Sequence, residues 1–263
     1  NDSHTLFLSQ SVQQNIKKTS LTDVASPPPF QTGVIKVDRD LYIYRSYIAQ
    51  HNFQIVLDET IDSAEPSLRA VRLLAQYLSA SAPHDRESII SEVLAWVSDP
   101  TLTASAIHQV VGGTILLWEG RHDDVLKLLH QPVSIESMAL LVQTFIAMNR
   151  LDLAENQAKG MQQVDDDASI TQLAMAWVYL AIGSDKIAEA HVIFQELSDK
   201  YGSTPMLLTS MATCAMRNGI WADAEKLLLE ASEKGSRDPE VLINLDFTVS
   251  GSDLSKNRIT EKL

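Results

Sequence analysis

From Val37 onward, apolar residues recur at three- and four-residue spacing in segments of helix length, each closed by a short polar stretch. That period is the mark of amphipathic α-helices, with turns where the polar residues cluster. Strand signals are scarce: aromatic residues make up 6% of the chain, and no Asn-Gly pair is flanked by alternating apolar and polar positions. Asn218-Gly219 falls between two helical patterns and predicts a helix–helix turn, as do Gly183-Ser184-Asp185 and Asp99-Pro100. Residues 1–36 lack this texture. They are rich in Ser, Thr and Gln and carry Pro27-Pro28-Pro29, which neither a helix interior nor a central strand absorbs. They predict a disordered or irregular tail, with at most a short helix over residues 9–18.

The predicted helices come in pairs, and the pairs repeat. Shifting the segment around Asn218-Gly219 back by 34 residues places Met211 on Trp177, Ala215 on Ala181, Ala224 on Ala190, Leu228 on Phe194 and Ala231 on Leu197. A period of this length, with small residues where two helices touch, is the tetratricopeptide (TPR) signature. Looser copies hold Val142, Phe145, Ala154, Ala158 and Met161, and Gly113, Leu116, Gly120, Val125 and Leu129; Tyr44, Tyr47 and Val56 suggest one more. The equivalent positions Val56, Val125, Ala154, Ala190 and Ala224 are 69, 29, 36 and 34 residues apart, so a further unit is expected at residues 68–97. The predicted fold class is all-α: a TPR-like α-solenoid of helix pairs, wound as a right-handed superhelix with a concave inner face. It covers residues 37–245 and leaves 246–263 as an atypical, frayed C-terminal segment.

Composition narrows the function classes. The 263 residues are 45% apolar and 21% charged, as expected of a globular chain, and carry a formal charge of −13. That excess argues against nucleic acid, which requires a Lys/Arg-rich face. The charge is not spread evenly: it is +1 over residues 1–36, −6 over 37–150, −8 over 151–240 and 0 over 241–263. All the negative excess therefore lies in the repeats, whose surface anionic lipid would repel, so any membrane attachment is expected to be indirect. The apolar run 110–118 is too short for a membrane span and is interrupted by Gly112-Gly113. The first residues, NDSHTLFLSQ, have no basic patch before an apolar core, so no secretory signal is read there. Asn1 in place of a methionine reads as a fragment or a processed form.

Reactive chemistry is thin. There is no HExxH, no GxSxG and no phosphate loop ending in Gly-Lys-Ser/Thr, so no catalytic residue and no cofactor is expected. His122 with Asp123-Asp124 reads as a helix start with capping acids, and His130 as a side chain meeting free carbonyls at a helix end. The run 165–167 lacks the alternate spacing, glycine and closing glutamate of a calcium loop and reads as acids at a helix N-terminus. The lone Cys214, between Ala212-Thr213 and Ala215, reads as a packed thiol, and no metal site is expected. One cysteine fits a reducing compartment.

The more informative residues are those of the inner face. In the first helix of a TPR pair, positions 2, 5, 9 and 12 face inward. With Gly113, Val142, Val178 and Ala212 at position 8, they are Ile107, Val110, Thr114 and Leu117; Glu136, Ala139, Gln143 and Ile146; Gln172, Met175, Tyr179 and Ile182; and Met206, Thr209, Thr213 and Met216. Ten of the sixteen are apolar and none is Lys or Arg, which disfavours clamping of a C-terminal carboxylate. An apolar, methionine-bearing groove suits an extended or hairpin segment of another protein. The competing expectation is that these residues pack on the chain's own helices.

Several long stretches resemble one family: VDRDLYIYRSYIAQ from Val37, LRAVRLLAQYLS from Leu68, MQQVDDDASITQLAMAWVYLAIG from Met161, AHVIFQELSDKY from Ala190 and DPEVLINL from Asp238. Together they are similar to the epsilon subunit of coatomer over residues 37–245. The resemblance implies a non-enzymatic subunit of the COPI vesicle coat, cytoplasmic and peripheral to Golgi membranes and COPI-coated vesicles. It would act in retrograde Golgi-to-ER and intra-Golgi transport. It further implies a solenoid that binds the C-terminal region of the coatomer alpha subunit, touches other coatomer subunits indirectly, and reaches membrane only through the assembled coat. The alternative is a TPR adaptor or co-chaperone holding a peptide segment of another protein. Both ends depart from the family, which begins with an aromatic-bearing helical segment and continues through further helices after the position of Leu245. These ends read as alternative exons or misplaced gene boundaries. Without a second helix and a capping helix in the last repeat, apolar surface near Leu228 and Leu242 is expected to be exposed.

Overall fold

Proline and small polar residues set where the helices begin. In the computed structural model, which describes residues 32–61, 63, 65–80, 82–235 and 239–260, every regular element among the described residues is a helix. Most of the expected tail, including the helix expected over residues 9–18, lies outside the described residues. Pro66, Pro83, Pro100 and Pro205 each occupy the first turn of a helix, where a missing N–H costs nothing. Ser134 and Thr204 cap their helices by accepting from the backbone N–H of Ser137 (3.1 Å) and Leu207 (3.4 Å).

The chain divides into two compact units at Arg150 and Leu151. The N-terminal unit holds α1 (Thr32–Ala49), α2 (Phe53–Glu59), α3 (Pro66–Ser79), α4 (Pro83–Val97), α5 (Pro100–Thr103), α6 (Ala106–Trp118), α7 (His122–Leu128) and α8 (Ile135–Ala147). The C-terminal unit holds α9 (Leu151–Val164), α10 (Ser169–Ile182), α11 (Lys186–Tyr201), α12 (Pro205–Arg217), α13 (Trp221–Lys234) and α14 (Pro239–Thr260). Helix α1 starts at Thr32, inside the segment expected to be irregular, and α14 runs well past Leu245 into the segment expected to be frayed. After Pro239 no proline interrupts that stretch. Asp99-Pro100 opens the single turn of α5, with the Asp99 carboxylate accepting from Thr101 N–H at 2.9 Å.

The turns repeat as the sequence period implies. His51, Gly120, Asn149 and Gly219 all have positive φ, at 60°, 68°, 57° and 74°. The N–H one residue later reaches back five residues, from Asn52 to Tyr47, Arg121 to Leu116, Arg150 to Phe145 and Ile220 to Ala215. This is the Schellman arrangement, which closes a helix by a left-handed residue. Gly183 and Ser184 play the part between α10 and α11, at 80° and 50°. The small or branched residues predicted to sit where paired helices touch, Val56, Val125, Ala154, Ala190 and Ala224, are all fully buried.

In the N-terminal unit the centre is α6, buried continuously from His108 to Leu117 and packed against α3, α4, α5, α7 and α8. Its Gln109 is a buried clamp. The amide donates to the carbonyls of Thr103 and Gln131, both at 2.8 Å, and accepts from Val133 N–H at 3.1 Å, tying together the loops on either side of the α6–α7 pair. Gln109→Ala leaves three backbone groups without that partner and is expected to cost about 2 kcal/mol in urea unfolding followed by circular dichroism. Burial holds His108 below the ordinary histidine range, with Arg69 adding to the effect. In the C-terminal unit α10 packs on α9 and α11, α12 on α11 and α13, and α14 on α12 and α13. Arg217, at the end of α12, donates to the Leu180 carbonyl at 2.8 Å, satisfying a terminal acceptor of α10.

Candidate partner-binding surface

The inner-face residues divide by burial. Val110, Leu117, Gln143, Met175, Met206 and Met216 are buried within the chain, and Ile107, Ile146, Gln172, Tyr179, Ile182 and Thr213 are half-buried. None of the twelve is fully exposed. In the N-terminal unit Val110 and Leu117 belong to the main apolar core, and Ile107 packs against that core and against the cluster of α1, α2 and α3. Thr114 donates its hydroxyl to the Val110 carbonyl at 2.6 Å. Glu136, another inner-face position, accepts from Arg45 of α1 at 2.8 Å, a largely buried ion pair between residues 91 apart in sequence. The expected open face is thus substantially filled by the unit's own side chains.

In the C-terminal unit more of the face stays accessible. Gln172, Tyr179 and Ile182 on α10 and Thr213 on α12 keep part of their surface, and the Lys186 ammonium lies 4.7 Å from the centre of the Tyr179 ring. Met175 and Met216 are only 3% and 8% exposed, so a charged residue there would challenge the core before any partner. The Gln143 side-chain carbonyl of the N-terminal unit, and the Thr171 hydroxyl and Trp177 indole N–H of the C-terminal unit, are buried without hydrogen-bond partners among the described residues.

The reactive groups have structural surroundings. Burial raises the Cys214 thiol to about 11, leaving almost no thiolate near neutrality. His130 Nδ1 sits 3.1 Å from the Lys127 carbonyl at the end of α7. Asp123 and Asp124 lie in the first turn of α7 without capping it; Asp124 instead pairs with Arg121 and Lys127, which hold its carboxyl below the usual range. Asp165 accepts from the N–H groups of Asp167 and Ala168, ordering the entry to α10. Among the described residues no three His, Cys, Asp or Glu side chains gather where a metal ion could be held. The Tyr77 hydroxyl donates to Glu119, and its ring stacks on Trp118 at 5.8 Å; burial, then that hydrogen bond, raises its ionisation above the ordinary tyrosine range.

A helix-pair array with these turns is shared by many proteins, so the comparisons decide which family this is. The model of the coatomer epsilon subunit family matches residues 29–262. The chain is 45% identical over 209 residues to coatomer subunit epsilon-1 of Arabidopsis thaliana, covering 80% of this chain and 71% of that protein. The chain belongs to the coatomer epsilon subunit family. Coatomer subunit epsilon of Dictyostelium discoideum is 35% identical over 216 residues, covering 80% of this chain and 72% of its own length. The protein of that name from Caenorhabditis elegans is 36% identical over 211 residues, with 80% and 71% covered.

The coatomer epsilon match extends past both ends of the 37–245 span and takes in α1 from its first residue. Three features of this epsilon chain escape a reading by period. Gln109 looks like any polar residue in an apolar run, Arg45–Glu136 joins helices far apart in sequence, and Leu242 is one of many leucines. The expectation of exposed apolar surface at the last repeat holds at Leu242, which is 50% exposed, and not at Leu228, which is fully buried under α13.

Proposed function

We propose that this coatomer epsilon family chain is a non-enzymatic scaffold subunit of the COPI vesicle coat. It binds the C-terminal region of the alpha subunit and contacts the other subunits through it, in retrograde Golgi-to-ER and intra-Golgi transport. The observation that carries the reading is the 45% identity to a protein named coatomer subunit epsilon-1 across four fifths of the chain. The half-buried stripe of Gln172, Tyr179, Ile182 and Thr213 supports it, because such residues can lose their remaining exposure to a partner without first unpacking a core. Among the described residues no helix is long and apolar enough to cross a membrane. In this reading the chain is cytoplasmic and reaches Golgi membranes and vesicles through the assembled coat.

Size-exclusion chromatography of the chain with the alpha subunit's C-terminal region tests this. Co-elution is expected at about 1 μM, and Tyr179→Ala should weaken the complex about ten-fold with unchanged circular dichroism. A folded chain that forms no complex at tens of micromolar would overturn the proposal.

A further inference from the structure

In the α12–α13 pair, the first helix turns Leu208, Ala212 and Ala215 inward at 2%, 0% and 7% exposure, and Ala212 and Ala215 pack with Ala224 and Leu228 of the second helix. A shift of 34 residues puts Leu242 and Asp246 of α14 at the positions of Leu208 and Ala212. Helix α14 is seated on the preceding pair by its other side: Val241 and Thr248 are buried, and the Thr248 hydroxyl donates to the Asn244 carbonyl at 2.7 Å and lies 3.0 Å from the Met216 sulfur. The stripe that should meet a second helix faces outward instead. Leu242, Ile243 and Phe247 are 50%, 67% and 59% exposed, and Asp246 is exposed between them. Where α12 ends at the Asn218-Gly219 turn, the equivalent Ser252-Asp253 lie inside α14, which continues to Thr260. Among the described residues no helix covers this face.

We propose that the outer face of α14 docks an amphipathic helix of another protein. That helix lies antiparallel to α14, as a second TPR helix lies on its first, and presents a Lys or Arg to Asp246. The repeat register supplies the geometry, since the corresponding stripe of α12 is covered by a helix in this way. The charge supplies the chemistry. At the equivalent position the other first helices carry Gly113, Val142, Val178 and Ala212, all buried, so a wholly apolar helix suffices there. Opposite Asp246 such a helix would bury an unpaired carboxylate, whereas a cation at the centre of its apolar stripe compensates the desolvation. A second copy of the chain fits poorly. A two-fold pairing of α14 faces centred on this stripe brings Asp246 towards its own mate, where like charges repel.

The probe is a fluorescein-labelled peptide with the α13 sequence, in which the residue matching Ala224 is replaced by lysine, measured by fluorescence anisotropy on the intact chain. Parallel peptides retain alanine or carry glutamate there. The lysine peptide is expected to bind at least about five-fold more tightly than the alanine peptide, and the glutamate peptide more weakly than both. Asp246→Asn should abolish the preference, and Leu242→Asp should weaken all three; both positions are exposed, so the fold, checked by circular dichroism, should persist. Equal binding of the three peptides to the unmodified chain, or no binding, overturns the proposal. A preference that survives Asp246→Asn overturns it too, as does a concentration-dependent dimer in sedimentation that Leu242→Asp abolishes.

Discussion

Phe194→Ala is expected to destabilise the chain by about 3–5 kcal/mol, the range for removing a fully buried aromatic ring from a packed core. Phe194 has no exposed surface and meets the Trp177 ring edge-on, with centroids 5.8 Å apart, so its loss opens a cavity at the centre of the α10–α11 contact. The same change should shift the Trp177 contribution to fluorescence to longer wavelength, because water gains access to the indole. Urea unfolding followed by circular dichroism checks the first effect, with Val192→Ala as the comparison. Val192 lies on the same helix, is 53% exposed, and should cost no more than ~0.5 kcal/mol. Equal effects at the two positions would contradict the packing described for this pair.

Gly112→Val is expected to cost about 3 kcal/mol or more, through overpacking rather than cavity formation. A Cβ on Gly112 would lie 2.9 Å from Leu128 Cδ2 and 3.3 Å from both Trp96 Cε3 and Val93 Cγ1, so α6 could accept it only by moving away from α4 and α7 together. Valine adds two further methyl groups to that space. The neighbouring glycine is a sharp control. At Gly113 the tightest contact of a Cβ is 3.2 Å to Leu140 Cδ1, the end of a flexible side chain, and the gain in helix propensity from Gly to Ala is ~1 kcal/mol. Gly113→Ala should therefore change stability by less than ~1 kcal/mol in either direction. A thermal unfolding midpoint that falls for Gly113→Ala as far as for Gly112→Val would remove the distinction between the two sites.

These two glycines show how far a linear reading reaches. The period placed both on one helix among apolar residues, and it identified Gly113 as the small residue of the pair contact. It gave no sign that Gly112 faces a second set of neighbours, because α6 is buried all round and a single amphipathic stripe cannot describe it. The same limit governs the inner-face quartets. Position in the repeat marks Val110, Met175 and Met216 as readily as Gln172 and Tyr179, yet the first three are buried in the chain and the last two keep accessible surface. Burial is a property of the neighbours, and those come from other helices.

What the sequence by itself determined was local and repetitive: the helices, the left-handed turn residues, the buried small positions from Val56 to Ala224, and through the quoted stretches the coatomer epsilon family. Each follows from chemistry within a helix turn or within one 34-residue unit. Only the tertiary structure decided the rest. It joined Arg45 to Glu136 across 91 residues, set Gln109 between two loops, closed part of the expected groove with the chain's own side chains, and left Leu242 and Asp246 facing outward on α14. Those outcomes depend on which surfaces meet when separate helices stack, and a pattern confined to one helix carries no record of its neighbour.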